Sequence, residues 1–205
     1  SADHLRVIER IEQATLTGGQ FCFAMPRGSG KTSLVIAAAV WSLLYGHRRF
    51  IVIVGADEKH ARNMLATVIA EIETNDLLLA DFPEACLPVR KLQRIHQRAR
   101  GQLYQGKQTR IVVTSNELVL PTIEGSAASG NTVRVTGITG HLRGMTARTA
   151  DGTAIRPSLV LIDDPQTDEV SHSPAQVADR LAIMSGAILG LAGPGQKISA
   201  LCTVT

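Results

Sequence analysis

Aromatic side chains are scarce in this chain: four Phe, two Tyr and one Trp make up 3% of 205 residues. A core of ordinary size must then be aliphatic, and Val, Ile, Leu and Ala suit a parallel sheet buried on both faces. The same scarcity argues against a surface that reads nucleic acid by stacking bases on rings. Cysteine is sparse too. Cys22, Cys86 and Cys202 are odd in number and too far apart for metal-ligand spacing. That excludes a disulfide scaffold and leaves buried free thiols in a reducing compartment as the expectation. Long apolar runs are missing. The longest, Leu34 to Leu44, is broken by Trp41-Ser42 and falls short of the roughly 20 residues that a bilayer span needs. The first residues are polar and charged, so neither a membrane partner nor a secretory signal is expected.

What remains is a hydrophobic content of 44% over 205 residues, enough for one core and one domain. A net charge of +3 and a pI near 9.0 permit a nucleic-acid partner without demanding one. Periodicity predicts a short amphipathic helix over 4–14, a strand over 21–24 and a helix ending near Gly46. A continuous apolar strand follows at 50–55, then a helix over 61–72, with Pro83 and Pro88 expected to break the chain. Further strands are predicted at 111–114, 131–138, 159–163 and 198–204, and a long helix over 175–191. Strands alternating with helices predict an open α/β sheet with crossover helices. Because the sequence stops on a strand, it is expected to be a piece of something longer.

The segment Met25-Pro26-Arg27-Gly28-Ser29-Gly30-Lys31-Thr32-Ser33 lies between the first strand and the second helix. Strand, glycine-rich loop and helix is the order of a phosphate-binding loop. Gly28 and Gly30 allow backbone N–H groups to turn onto phosphate oxygens, and the helix N-terminus adds partial positive charge. Lys31 is suited to the β- and γ-phosphates of ATP, and Thr32 to Mg²⁺. Met25 stands where the pattern wants glycine. An ordinary glycine turn entering a helix would leave the lysine unexplained.

The strand Leu159-Val160-Leu161-Ile162 ends in Asp163-Asp164. In a phosphate-loop ATPase such a strand holds the metal through its first carboxylate, here Asp163, and polarises the attacking water through the next, here Asp164. Aspartate is one methylene shorter than the glutamate usual there, and Asp168 or Glu169 could substitute. Three arginines stand out: Arg27 inside the loop, Arg143 between glycines, and Arg156 before Pro157, the last read as a structural ion pair. Arg27 and Arg143 are placed to stabilise transition-state charge, Arg143 on a neighbouring subunit's ATP. Between Glu84 and Glu117 there are no acids, and Lys91, Arg94 and Arg98 fall at helical spacing. They form a candidate face for duplex phosphates, without aromatic interleaving apart from Tyr104.

Together these segments resemble the ATPase domain of the large terminase subunit, the DNA-packaging motor of tailed phages and prophages. The loop from Met25 to Thr32 is similar to the family's degenerate phosphate loop. Gly140 to Gly144 is similar to its Arg-Gly segment, and Arg156 to Gln166 to the segment with the acidic pair. Cys202-Thr203-Val204-Thr205 is similar to its coupling motif. The resemblance implies a RecA-like P-loop NTPase using ATP and Mg²⁺. It implies that Arg143 is a trans-acting finger, that Thr203 and Thr205 couple hydrolysis to movement, and that a glutamine upstream of the loop, Gln13 or Gln20, contacts adenine. It further implies double-stranded DNA, a portal protein and a small terminase subunit as partners, in a homo-oligomeric ring on the procapsid within the host bacterial cytoplasm. A C-terminal nuclease domain is expected in the full-length protein and is absent from residues 1–205, so no nuclease activity is expected here. Alone, the piece is expected to be monomeric and slow. A superfamily-2-type helicase or translocase, and a nucleotide-binding adaptor with little turnover, share parts of this motif set.

Overall fold

The computed structural model describes residues 2–140, 144–149, 151–165, 173–191 and 198–204. Helix α1 (Ala2–Leu16) leads through a glycine turn into β1 (Gln20–Ala24), and α2 (Lys31–Leu44) follows the loop. Next come β2 (Phe50–Gly55), α3 (Glu58–Thr74), α4 (Asp76–Asp81) and α5 (Pro83–Arg90). Two-residue strands β3 (Leu103–Tyr104) and β4 (Lys107–Gln108) form a small hairpin. The chain then returns to the main sheet with β5 (Val112–Val113), β6 (Glu117–Val119) and β7 (Thr132–Gly137). A second hairpin, β8 (Ala147–Arg148) and β9 (Ala154–Ile155), precedes β10 (Leu159–Asp163), α6 (Pro174–Ile183) and β11 (Ser199–Val204).

The described residues form a seven-stranded sheet in the order β1-β11-β10-β2-β7-β6-β5. Its first five strands are parallel, and β6 and β5 add an antiparallel edge. Helices flank both faces, giving the α/β architecture expected of a RecA-like P-loop NTPase. Every residue of β2 and β10 is buried. Alternate residues serve opposite cores: Ile51, Ile53, Leu159 and Leu161 face α1, α2, α3 and α5, whereas Val52, Val54, Val160 and Ile162 pack with Ala147, Leu191 and Ile198. Burial on both faces accounts for the continuous apolar runs of these strands. Among the described residues, no helix is long and apolar enough to cross a membrane.

Several sequence expectations need correction. Pro83 does not break the chain but opens α5 at a first-turn position, where its missing N–H is not needed. Pro88 lies inside this eight-residue helix, which ends two residues later. The long helix predicted to Leu191 stops at Ile183 and continues as π and 3₁₀ turns. Cys22 is exposed on the edge strand rather than buried, in register with Cys202 on β11, while Cys86 and Cys202 are buried free thiols.

The run of α1 matters for the site. Arg48 donates to the carbonyls of Thr15 and Ala14 at 2.7 and 3.1 Å, and to Ser199 Oγ at 3.2 Å. These bonds satisfy the carbonyl end of α1 and pin it to the start of β11. At the other end, His4 Nε2 donates to the Ser29 carbonyl at 2.7 Å. Helix α1 therefore runs antiparallel to β1, its first turn against the loop.

Candidate functional site

Parallel strands end together, and the candidate residues of the loop and the acidic strand collect along that edge. Asp163 is in register with Thr203 on one side and Gly55 on the other, and Ala24 with Val204. The β1 ladder extends one step further, Met25 N–H donating to the Val204 carbonyl at 3.0 Å. A crevice at the carboxyl ends of parallel strands is where α/β sheets bind ligands.

Gly28 and Gly30 take φ of 74° and 82°, a left-handed backbone that other L residues resist, and Gly30 caps α2. Met25 has no positive φ, so glycine is not required there, and its side chain joins the core instead. Lys31 is 8% exposed, and its Nζ donates to the Met25 carbonyl at 2.8 Å and the Pro26 carbonyl at 3.2 Å. The ammonium is thus held across the loop opening. Ser29 Oγ is buried with no hydrogen-bond partner among the described residues. An orphaned hydroxyl in a cradle of this shape fits a phosphate oxygen. Arg27 is exposed on the loop, and Ser33 faces a groove along α2 rather than the loop.

Asp163 is 1% exposed and receives three donors. Thr32 Oγ1 and His60 Nε2 donate to its Oδ2 at 2.7 and 3.0 Å, and Thr203 Oγ1 donates to Oδ1 at 2.7 Å. Burial pushes the carboxyl pKa up, but the bonds from His60, Thr32 and Thr203 outweigh it, and the net pKa lies below the usual value. The hydrogen bond to Asp163 raises the His60 pKa against the opposing effect of burial, with the charges of Asp163, Asp57 and Asp164 adding to the rise. An ionised carboxylate beside a threonine hydroxyl is a hard-oxygen set that suits Mg²⁺ completed by phosphate and water oxygens. Among the described residues, no three His, Cys, Asp or Glu side chains form a metal cluster. A cation here would therefore depend on the nucleotide for its remaining ligands. Asp164 follows with φ of 45°, its N–H donating to the Thr203 carbonyl at 2.9 Å.

His60 escaped the sequence reading. It reaches Asp163 because β2 ends in Gly55. A Cβ at Gly55 would stand 2.8 Å from the Ala61 nitrogen and 3.0 Å from His60 Cδ2, so only glycine allows the first turn of α3 so close. Asp57 caps that turn, its Oδ1 accepting from His60 N–H at 2.7 Å. The signal was present in Gly55-Ala56-Asp57: a strand-end glycine followed by an N-cap.

No protein-family model matches this sequence, and no curated protein matches it. Among solved structures it is similar to the ATPase domain of the large terminase of Thermus phage P74-26, at 17% identity and a TM-score of 0.46. It is also similar to an arginine-to-alanine mutant of that domain, at 16% and 0.45. The likeness covers 91% of this chain and 59% of each of those chains.

Other predicted residues fall elsewhere. Gln13 lies nine positions beyond His4 on α1, about 13 Å along the axis at 1.5 Å per residue. Gln20 opens β1 at the end of the sheet opposite the loop. The structure brings neither to the crevice. Lys91, Arg94 and Arg98 do not share a helical face: α5 ends at Arg90, and Gln93 and Arg94 take φ of 51° and 60°. Arg94 pairs with Glu73 at 3.6 Å, and Arg98 donates to the Gln93 amide oxygen. Arg143, Thr205, Asp168 and Glu169 lie outside the described residues.

Proposed function

We propose that this chain is the ATP-hydrolysing motor domain of a phage large terminase subunit, coupling hydrolysis to translocation of double-stranded DNA into a procapsid. The observation that carries the hydrolytic part is the bridge from loop to acid strand, in which Thr32 Oγ1 donates to Asp163 Oδ2 at 2.7 Å beside the buried Lys31. The packaging part is supported by the resemblance of the loop, the acidic strand and the Thr203 segment to that family.

In this reading Lys31, Ser29 and the N–H groups around Gly28 and Gly30 hold the phosphates, with Pro26 and Arg27 lining the loop. Thr32 and Asp163 hold Mg²⁺, which would neutralise phosphate charge when bound. Asp164 orients the attacking water, and Arg27 with a neighbour's Arg143 stabilises the transition state. His60 keeps the Asp163 carboxylate turned toward the loop. Thr203, bonded to the other oxygen of the same carboxylate, carries the state of the site into β11, and Thr205 extends that motif. A portal protein and a small terminase subunit complete the assembly, a homo-oligomeric ring.

Phosphate release, measured with Mg²⁺–ATP across a range of protein concentrations with and without duplex DNA, tests this. Turnover should rise with concentration and DNA, and Arg143→Ala should spare ATP binding while removing the concentration-dependent part. Turnover at background under all conditions would refute the motor and leave a nucleotide-gated adaptor.

A further inference from the structure

From Thr32 to Leu44, α2 carries no charged residue. One side packs on the sheet. The other, with Ile36, Val40 and Trp41, lines a groove of about 400 Å³ closed across by α3 and α4. A helix apolar nearly all round calls for cover on both sides.

Three of the chain's seven aromatic residues, Trp41, Tyr45 and Phe82, line this groove. Tyr45 and Phe82 meet edge to face at 4.9 Å, and Tyr45 stacks on His47 at 5.6 Å. Tyr45 is 52% exposed, and Leu77 on α4 is 78% exposed. Rigid aromatic side chains gathered at one exposed place are the anchors that protein interfaces favour.

Charge gives the occupant its sign. Between Arg62 and Arg90 the sequence has five acids and no Lys or Arg. Three of the acids are engaged: Glu73 with Arg94, Asp76 with Arg90, and Glu84 with the Ser126 hydroxyl. The remaining two, Glu71 and Asp81, line the groove. Neither has a cationic partner among the described residues, and Glu71 accepts only the Asn75 amide at 3.1 Å. Apolar and aromatic walls with two uncompensated carboxylates complement an apolar stripe flanked by ammonium or guanidinium groups.

We infer that this groove docks a cationic amphipathic helix of a partner protein, its apolar residues against Trp41 and Tyr45 and its basic residues on Glu71 and Asp81. Helix-in-groove binding of this kind takes anchors spaced i, i+3, i+4 and i+7. Ser33, next after Thr32, lines the same groove. The docked helix therefore lies along the element whose N-terminus carries Lys31.

Trp41 is the only tryptophan in the chain, so its emission reports the groove directly. Two synthetic 16-residue helices serve as probes, sharing one leucine face, one with lysines and the other with glutamates on the polar face. The lysine peptide should shift Trp41 emission saturably, and the glutamate peptide should not. Glu71→Gln with Asp81→Asn, surface changes that leave the thermal midpoint in place, should weaken the lysine peptide at least fivefold. Tyr45→Ala should weaken it as well. Equal binding of both peptides, or unchanged affinity in the double variant, would overturn the inference. So would a Trp41 shift that follows protein concentration alone, which would assign the groove to a second copy of this chain.

Discussion

Replacing Thr203 with valine removes one hydroxyl from the middle of the site and keeps the β-branched shape that suits a strand. The lost bond, Thr203 Oγ1 to Asp163 Oδ1 at 2.7 Å, joins groups that are 0% and 1% exposed. Water cannot replace it without opening the sheet. Hydrogen bonds to charged groups contribute about 1.5–3 kcal/mol, so Thr203→Val should lower unfolding free energy by about that much near pH 7. The second contact of this hydroxyl, 3.4 Å to the Ile162 carbonyl, is too long to add much. pH dependence separates this cause from a packing defect. The Asp163 pKa is depressed in the folded state, so its stabilisation is present above the unfolded value of about 3.9 and is lost as pH falls through the folded value. The gap between parent and variant, read by urea unfolding monitored through Trp41, should be widest near neutrality and shrink in acid. A gap below about 0.5 kcal/mol at pH 7, or one that widens in acid, would show that the bond does not hold the carboxylate.

Two further substitutions probe how the site is positioned. His60→Gln keeps a donor for Asp163 but cannot titrate. The His60 pKa is raised, chiefly by its bond to Asp163, so its contribution is complete below about pH 6.5 and lost as pH rises through the folded value. The thermal-midpoint advantage of parent over variant should therefore narrow between pH 6 and 9, and a constant gap would contradict the pairing. Gly55→Ala places a Cβ 2.8 Å from the Ala61 nitrogen, which must move. A cost of about 1–3 kcal/mol is expected, together with weaker Mg²⁺–ATP binding, and unchanged affinity would show that α3 does not position the site.

The candidate site at the sheet edge was largely legible in the sequence because its signals are local. The glycines before Lys31 and the apolar run before Asp163 each announce a strand end, and parallel strands bring those ends together without further information. What the sequence did not show depends on direction or contact. Gln13 and Gln20 precede the loop by tempting intervals, yet α1 runs antiparallel to β1 and both lie toward the opposite edge. Lys91, Arg94 and Arg98 have helical spacing, but left-handed Gln93 and Arg94 end the helix before the spacing matters. His60 reaches Asp163 across 103 residues, through a gap that exists because Gly55 has no side chain. Pro83 is compatible both with a chain break and with the first turn of a helix, and only the folded chain shows the second.

The proposed motor requires the loop around Lys31 to bind the phosphates of ATP. Calorimetric titration of ATP with Mg²⁺ into the parent and into Lys31→Ala tests it most directly, with urea unfolding to confirm that both remain folded. Saturable binding by the parent and its loss in the variant are expected, because the Met25 and Pro26 carbonyls hold the Lys31 ammonium at the loop. ATP affinity unchanged by Lys31→Ala would contradict the site, and with it the proposed motor.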